Sequence, residues 1–219
     1  MQQFIGVYPA VVVDNIDPQQ SGRVQVQLPL LVDPVAKNYA VWARIATMMA
    51  GNQSGTWFIP DKGDEVLVAF EGGDPRRPYV IGALWNSHEL PPEQMDPAGA
   101  NNLKVIRSRQ GLKVTLDDQA GQESLSIETP GGQSIILKDG PGSITLTDSN
   151  GNTITLEASG ISITSSSKVT INASVIEISA GMLTVNAGMS RFSGVVQCDT
   201  LIANSVVGAS YTPGAGNIW

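Results

Sequence analysis

The 219-residue chain has one cysteine, Cys198, and one histidine, His88. A single thiol excludes an intrachain disulfide framework, and the simplest expectation for Cys198 is a small buried hydrophobe. One histidine, set among prolines and acids, leaves no nucleophile–histidine pair for acyl transfer and no histidine cluster for a metal. Aromatic side chains are also scarce. Phe4, Tyr8, Tyr39, Trp42, Trp57, Phe58, Phe70, Tyr79 and Trp85 all fall in the first 85 residues, and only Phe192, Tyr211 and Trp219 follow. Large rings are therefore available for a globular core only at the N-terminal end. Charge runs out too: from Pro141 onward only Asp148, Glu157, Lys168, Glu177, Arg191 and Asp199 are ionisable acids or bases. The formal net charge is −7, which argues against an extended phosphate-binding surface. No run approaches the ~18 apolar residues of a spanning helix. Met1–Ala10 lacks the basic start and apolar run of a secretion signal, so folding in a cytoplasm is expected.

What the second half does have is a repeat. Apolar residues come in pairs two apart: Ile144/Leu146, Ile154/Leu156, Ile161/Ile163, Val169/Ile171, Ile176/Ile178 and Leu183/Val185. Ser, Thr, Asn, Gly and Ala fill the gaps. Period-2 alternation predicts strands with one buried face, and the pairs start 10, 7, 8, 7 and 7 residues apart, one short strand and one tight turn per unit. Longer alternating strands precede them at Leu112/Val114/Leu116, Leu125/Ile127 and Ile135/Leu137. Such a succession makes a stacked, elongated structure. Within one chain, three successive units could form the walls of a prism, but with an unprotected edge along its length that invites aggregation. Three copies around one axis remove that edge, with every strand pairing to a neighbouring chain and these Ile, Leu and Val side chains meeting inside, and are the expected arrangement. With roughly 12 units at ~4.8 Å per layer, the prism would be on the order of 55–60 Å long.

Residues 1–86 predict a small barrel. Gly6–Ile16 is Val-rich, Arg23–Leu30 alternates, and Tyr39–Ala46, Glu65–Glu71 and Pro78–Leu84 give three further strands. Met48–Gly55 reads as a flexible loop. Five strands joined by Gly/Pro turns with no helical period predict an OB-like closed barrel. Residues 87–101, with their prolines and little apolar material, read as a linker; 102–190 is the repeat region, and 191–219 is an apex segment with Tyr211, Ile218 and Trp219 at the tip. The fold class is all-β.

Three local patterns resemble chemistry and are better read as turns. Ser165-Ser166-Ser167-Lys168 matches S-x-x-K but lacks the helix start and companion motifs that chemistry needs. Asp148-Ser149-Asn150-Gly151 resembles a calcium loop, yet its glycine comes too early and position 12 is Ser159. Asp117-Asp118 reads as a strand end. No catalytic residue, cofactor or metal ligand is expected.

The barrel also carries recognisable wording: VVVDNIDPQQSGRVQVQLP, VWARIATMMAG and GTWFIPDKGDEVLVAFEGGDPRRPYVIGALWN. With Trp42, Arg44, Pro60, Gly63, Asp64, Asp74, Pro75, Gly82 and Trp85 at the matching positions, this segment resembles the OB domain of contractile-tail spike proteins, the phage baseplate assembly protein V and VgrG family. The resemblance implies a homotrimeric central spike, an intertwined triple-stranded β-helix mounted by its barrel and driven through a target envelope by sheath contraction. It implies a virion baseplate or equivalent particle assembled in a bacterial cytoplasm, and no enzyme activity. VgrG proteins carry a hub before the barrel; here the barrel starts at once, so a separate hub protein is expected. The short linker leaves no room for the lysozyme domain of some relatives. Some phage spikes hold iron at the apex through His-x-His, a pair absent here, so apex closure would fall to the tail or to a PAAR-like cap. The competing expectation is an OB-fold binding module for single-stranded nucleic acid or carbohydrate, which calls for a basic, aromatic-lined groove.

Overall fold

A Val-rich run makes the first strand and an alternation of Val with polar residues the second. In β1 (Val7–Asp14) and β2 (Arg23–Gln27), Ala10, Val12, Val24 and Val26 point inward and are buried, while the residues between them stay partly open. The computed structural model describes residues 3–29 and 39–210. β3 (Ala40–Ile45) follows, then a small hairpin of β4 (Ala50–Gly51) and β5 (Ser54–Gly55), then β6 (Glu65–Phe70) and β7 (Pro78–Ala83). The larger strands close into a barrel in the order β1-β2-β3-β7-β6. All neighbours are antiparallel except β3 and β7, whose parallel pairing sets Arg44 against Tyr79 and Ile45 against Val80.

The barrel interior is narrower than the count of aromatic residues suggests. It is filled by Val12, Val24, Val26, Leu28, Val66, Val68 and Val80, with Phe70 the one aromatic ring in the buried core. Phe4, Tyr8 and Phe70 stack edge-on at one end, with centroids 5.4–5.6 Å apart. Trp57, Phe58 and Trp85 are exposed, so the expected core built around large rings is corrected. A five-stranded barrel leaves room for β-branched side chains on its inward positions and little more. The expected loop at Met48–Gly55 is also corrected. It is the β4–β5 hairpin, pairing Ala50 with Gly55 and Gly51 with Ser54, and Gln53 takes the left-handed turn position at φ 53°.

The turns are closed by carboxylates. Asp17 accepts from the backbone N–H of Gln19, Ser21 and Arg23 and pairs with the Arg23 guanidinium at 2.7 Å. Asp74 accepts from Arg76 through both backbone and side chain. Gly63, at φ 106°, donates its N–H to the Val12 carbonyl at 2.8 Å, a backbone conformation that favours glycine.

Beyond the barrel, residues 87–101 form no strand, and Glu93 reaches Lys113 at 2.6 Å. Seven strands then pair in chain order: β8 (Leu103–Arg107), β9 (Lys113–Asp117), β10 (Ser124–Glu128), β11 (Ser134–Lys138), β12 (Ser143–Thr147), β13 (Thr153–Glu157) and β14 (Gly160–Thr164). The sheet is an antiparallel meander. β8 carries no Ser/Thr alternation, so its sequence, LKVIR, is not legible as part of the repeat. Arg109 in the following turn reaches Asp61 of the barrel side at 2.7 Å.

A second compact unit runs from Thr170 onward. Its described residues, 170–210, are extended, form no helix or strand and make no backbone hydrogen bond among themselves. Cys198 is exposed in the single chain. The tip residues Tyr211, Ile218 and Trp219 lie outside the described residues.

Candidate functional site

The meander sets its apolar pairs directly opposite one another. Ile135 faces Leu146 and Leu137 faces Ile144 across β11 and β12. Ile144 in turn faces Leu156, and Leu146 faces Ile154. Ile154 and Leu156 face Ile163 and Ile161 on β14. Leu125 and Ile127 continue the row toward β9, where they meet Leu116 and Val114. Directly opposed residues share a sheet face, so one face is a continuous field of Leu, Ile and Val. The other face carries mostly Ser and Thr, with Thr145 opposite Thr155 and Ile136 as an exception.

Among the described residues nothing covers the apolar face. From β12 to β14 its side chains keep between 36% and 72% of their surface open. Exposed apolar fields of this extent mark association surfaces. The hydrogen bonding differs from the sequence expectation. From Leu103 to Thr164 each inner strand has both its ladder neighbours in its own chain, where pairing with neighbouring chains was expected. The turns are short enough for local hairpins, so copies would meet here through sheet faces. Val169, Ile171, Ile176, Ile178, Leu183 and Val185 lie beyond the meander on unpaired, extended backbone and are all exposed. Ile106 on β8, opposite Val114, extends the apolar face and was not expected to belong to it; only the observed register identifies it.

The barrel residues with family wording do not converge on one point. Trp42 lies under the Arg23 guanidinium at 5.6 Å, and Arg44 sits over the Tyr79 ring at 5.6 Å. Pro60 offers its carbonyl to the Asn15 amide at 3.3 Å, and Asp64 receives the Asp61 N–H at 2.8 Å. The Pro75 carbonyl accepts from the Tyr39 hydroxyl at 3.0 Å. Gly82 pairs with Leu67 next to a bulge in β6–β7. Trp85 is exposed. These residues are spread over several turns and two strands and act as framework. A different barrel surface is concave: Met48, Met49, Trp57 and Phe58 line a cleft of about 820 Å³ against Gly22 and the β4–β5 hairpin.

The polar patterns resolve as turns. Asp148 accepts from the side chain and N–H of Asn152 at 2.7 and 2.9 Å and from the N–H of Asn150 at 2.9 Å. The Ser165 hydroxyl donates to the Lys168 carbonyl at 3.3 Å, and the Ser167 N–H donates to Ser165 Oγ. Asp117 ends β9.

The capping carboxylates predict an acid profile. Hydrogen bonds from the Asn152 side chain lead in holding Asp148 at about 2, and those from the Arg76 side chain lead in holding Asp74 at about 2. Arg23 holds Asp17 well below the usual carboxylate range. A depressed folded pKa adds stability that is present above the unfolded value near ~3.9 and is lost as pH falls through the folded value. The melting temperature is therefore expected to lose this contribution between about pH 4 and pH 2. Asp74→Asn and Asp148→Asn should each shallow that fall, which scanning calorimetry can follow.

Comparison with known proteins follows the same division. Residues 8–85 match the type VI secretion system/phage-baseplate injector OB domain, and residues 124–189 match the phage baseplate V C-terminal trimerisation domain. The chain is 32% identical over 146 residues to the type VI secretion system spike protein VgrG1b of Pseudomonas aeruginosa, covering 61% of this chain and 20% of the relative. It is 31% identical over 146 residues to VgrG1a of the same organism, covering 61% of this chain and 23% of the relative. VgrG3 of Vibrio cholerae is 30% identical over 108 residues, or 48% of this chain and 11% of its own length. The chain thus spans about a fifth of the length of the two Pseudomonas relatives. The injector OB match thus falls on the closed barrel, and the phage baseplate V trimerisation match falls on the open sheet and the extended segment after it, in a chain similar to VgrG spike proteins.

Proposed function

We propose that the chain is the central spike of a contractile injection machine, a structural part that pierces a target envelope on sheath contraction. One observation carries the reading: the uncovered apolar face of β10–β14 falls inside residues 124–189, the span that matches a trimerisation domain. Three copies would turn three open faces toward one axis, leaving the Ser/Thr faces to water. A trimeric rod with few charges also suits passage through a bilayer, where each ionised group at the centre costs at least ~2.5–3.5 kcal/mol.

The barrel would mount the spike on a hub, and the cleft of Met48, Met49, Trp57 and Phe58 offers an apolar attachment surface there. A PAAR-like cap is the expected partner at the far end, and the assembled particle is the expected location. A role in binding single-stranded nucleic acid or carbohydrate has less support, because among the described residues the cleft beside Trp57 is lined by no Lys or Arg. Sedimentation equilibrium tests the reading. The expected species is three times the 23.1 kDa chain mass; a monomer at micromolar concentration would sink it.

A further inference from the structure

One side-chain amide is placed to react with its own backbone. Asn150-Gly151 is the only Asn-Gly pair in the sequence, and it sits in the turn between β12 and β13. Both residues are exposed. Gly151 has φ 83° and open space where a Cβ would stand, so no side chain shields its nitrogen.

Asp148 organises the turn around this pair. Its carboxylate accepts from the Asn150 N–H at 2.9 Å and from the Asn150 side-chain amide at 3.3 Å. Its carbonyl accepts from the Gly151 N–H at 3.3 Å, longer than the ~2.9–3.0 Å of an ordinary N–H···O bond. Among the described residues the Asn150 side-chain oxygen accepts no hydrogen bond. Asn86-Ser87 is the contrasting case. Asn86 Oδ1 accepts from the N–H groups of His88 and Glu89, both at 2.8 Å, and its Nδ2 donates to Glu65 at 2.9 Å. That amide is held at both ends, whereas the Asn150 amide is held at one end and loosely.

We infer that Asn150 is a site of spontaneous covalent modification, in which the Gly151 backbone nitrogen attacks the Asn150 side-chain amide and converts it to aspartate and isoaspartate. The Gly151 N–H gives its proton to hydroxide, and the nitrogen bonds to Asn150 Cγ. Nδ2 takes a proton from water and leaves as ammonia when the Cγ–Nδ2 bond breaks, which closes a cyclic imide. A second water opens the ring. Opening at Cγ gives aspartate; opening at the main-chain carbonyl gives isoaspartate, whose backbone runs through Cβ. The net change is one water consumed and one ammonia released. Ring closure requires the Gly151 nitrogen to turn away from the Asp148 carbonyl, so the rate follows opening of the turn, and Asp148 restrains it.

Either product replaces a donor facing Asp148 with a second carboxylate. Isoaspartate also adds a methylene to the backbone of a turn closed by the Asp148 N–H to Asn152 carbonyl bond at 3.1 Å. Turn type and length fix hairpin register, here the register that sets Leu146 against Ile154. Asn152 Oδ1 also accepts from the Ser166 N–H at 3.1 Å, beyond β14. The modification therefore loosens the apolar face from its turn end.

The purified full-length protein is incubated at mildly alkaline pH and digested with trypsin, which releases Asp139–Lys168 with Asn150 and a separate peptide with Asn86. Fragmentation mass spectrometry places each gain of one mass unit, and an isoaspartyl methyltransferase reports isoaspartate. Asn150 should convert roughly tenfold faster than Asn86, because less local structure must open. Asp148→Ala should raise the Asn150 rate a further several-fold, with circular dichroism confirming the fold. Asn152→Ala removes a donor to Asp148 at 2.7 Å and tests the same restraint where Asp148→Ala does not fold. Equal rates at Asn150 and Asn86, or no acceleration in a folded turn variant, overturns the inference. Hydrogen exchange reads the consequence. Isoaspartate-bearing chains should exchange the Leu146 and Ile154 amides faster than Asn150→Asp, which carries the charge without the methylene; identical exchange overturns the effect on register.

Discussion

Leu146→Glu is expected to abolish association and leave a monomer with an intact barrel. Leu146 lies between Ile135 and Ile154 on the open face of the meander. In a closed assembly three introduced carboxylates would enter one layer with no cationic partner. Burial raises such a group's pKa by up to ~3–5 units, so at pH 7 it is protonated at a cost of up to about 4 kcal/mol per copy, ~1.36 kcal/mol for each unit between ~4.3 and 7. Losing a buried Leu removes a further ~2 kcal/mol. Over three copies the penalty is up to roughly 18 kcal/mol, beyond the ~12 kcal/mol of a nanomolar association. Sedimentation velocity reads the outcome directly. Trp42 fluorescence should stay native, because Trp42 packs with Arg23 in the barrel. A Leu146→Glu trimer would mean that this face is not the shared one.

Val68→Asp is expected to unfold the barrel. Val68 has no exposed surface, and its strand pairs with both β1 and β7. Among the described residues the barrel core holds no buried polar or charged side chain that could answer a carboxylate. The pKa-linked cost of up to about 4 kcal/mol at pH 7, added to the lost Val packing of roughly 1–2 kcal/mol, is comparable to the ~5–15 kcal/mol stability of a typical domain. Val68→Ala removes only two methyl-sized groups and should cost roughly 1–2 kcal/mol. Urea unfolding followed by tryptophan fluorescence separates the two, with the alanine variant cooperative at a lower midpoint and the aspartate variant lacking a folded baseline. Similar midpoints for both would mean that the site admits water.

Much of this architecture can be read from the residues because a strand's period of two is hard to disguise. Arg23–Gln27 alternates cleanly in sequence, while Glu65–Phe70 is a short apolar run whose burial alternates; both are barrel strands with Val24, Val26, Val66 and Val68 inward. The β12–β14 strands are equally plain, since Ser and Thr mark one face and Ile and Leu the other. β8 was hidden because Leu103, Val105 and Ile106 break the alternation. The β4–β5 hairpin was hidden because its four strand residues are Ala, Gly, Ser and Gly, small residues with weak strand preference. The exposed rings of Trp57, Phe58 and Trp85 could not be told from core residues by composition alone. Whether a strand pairs within its chain or across chains is set by turn length and register, which alternation does not encode. The last segment faded for a different reason: its unit shortens to five residues, so a search for seven or eight loses it.

The chain-order pairing of β8 through β14 also has a kinetic meaning. Every ladder in the meander joins consecutive strands, so its contacts are local, the class that forms fastest; isolated hairpins close in about 1–10 μs. The described residues after Thr170 have no such partner among the described residues. In the trimer proposed above their ordering would wait for encounters between molecules and so depend on concentration, while the meander could form beforehand within each chain.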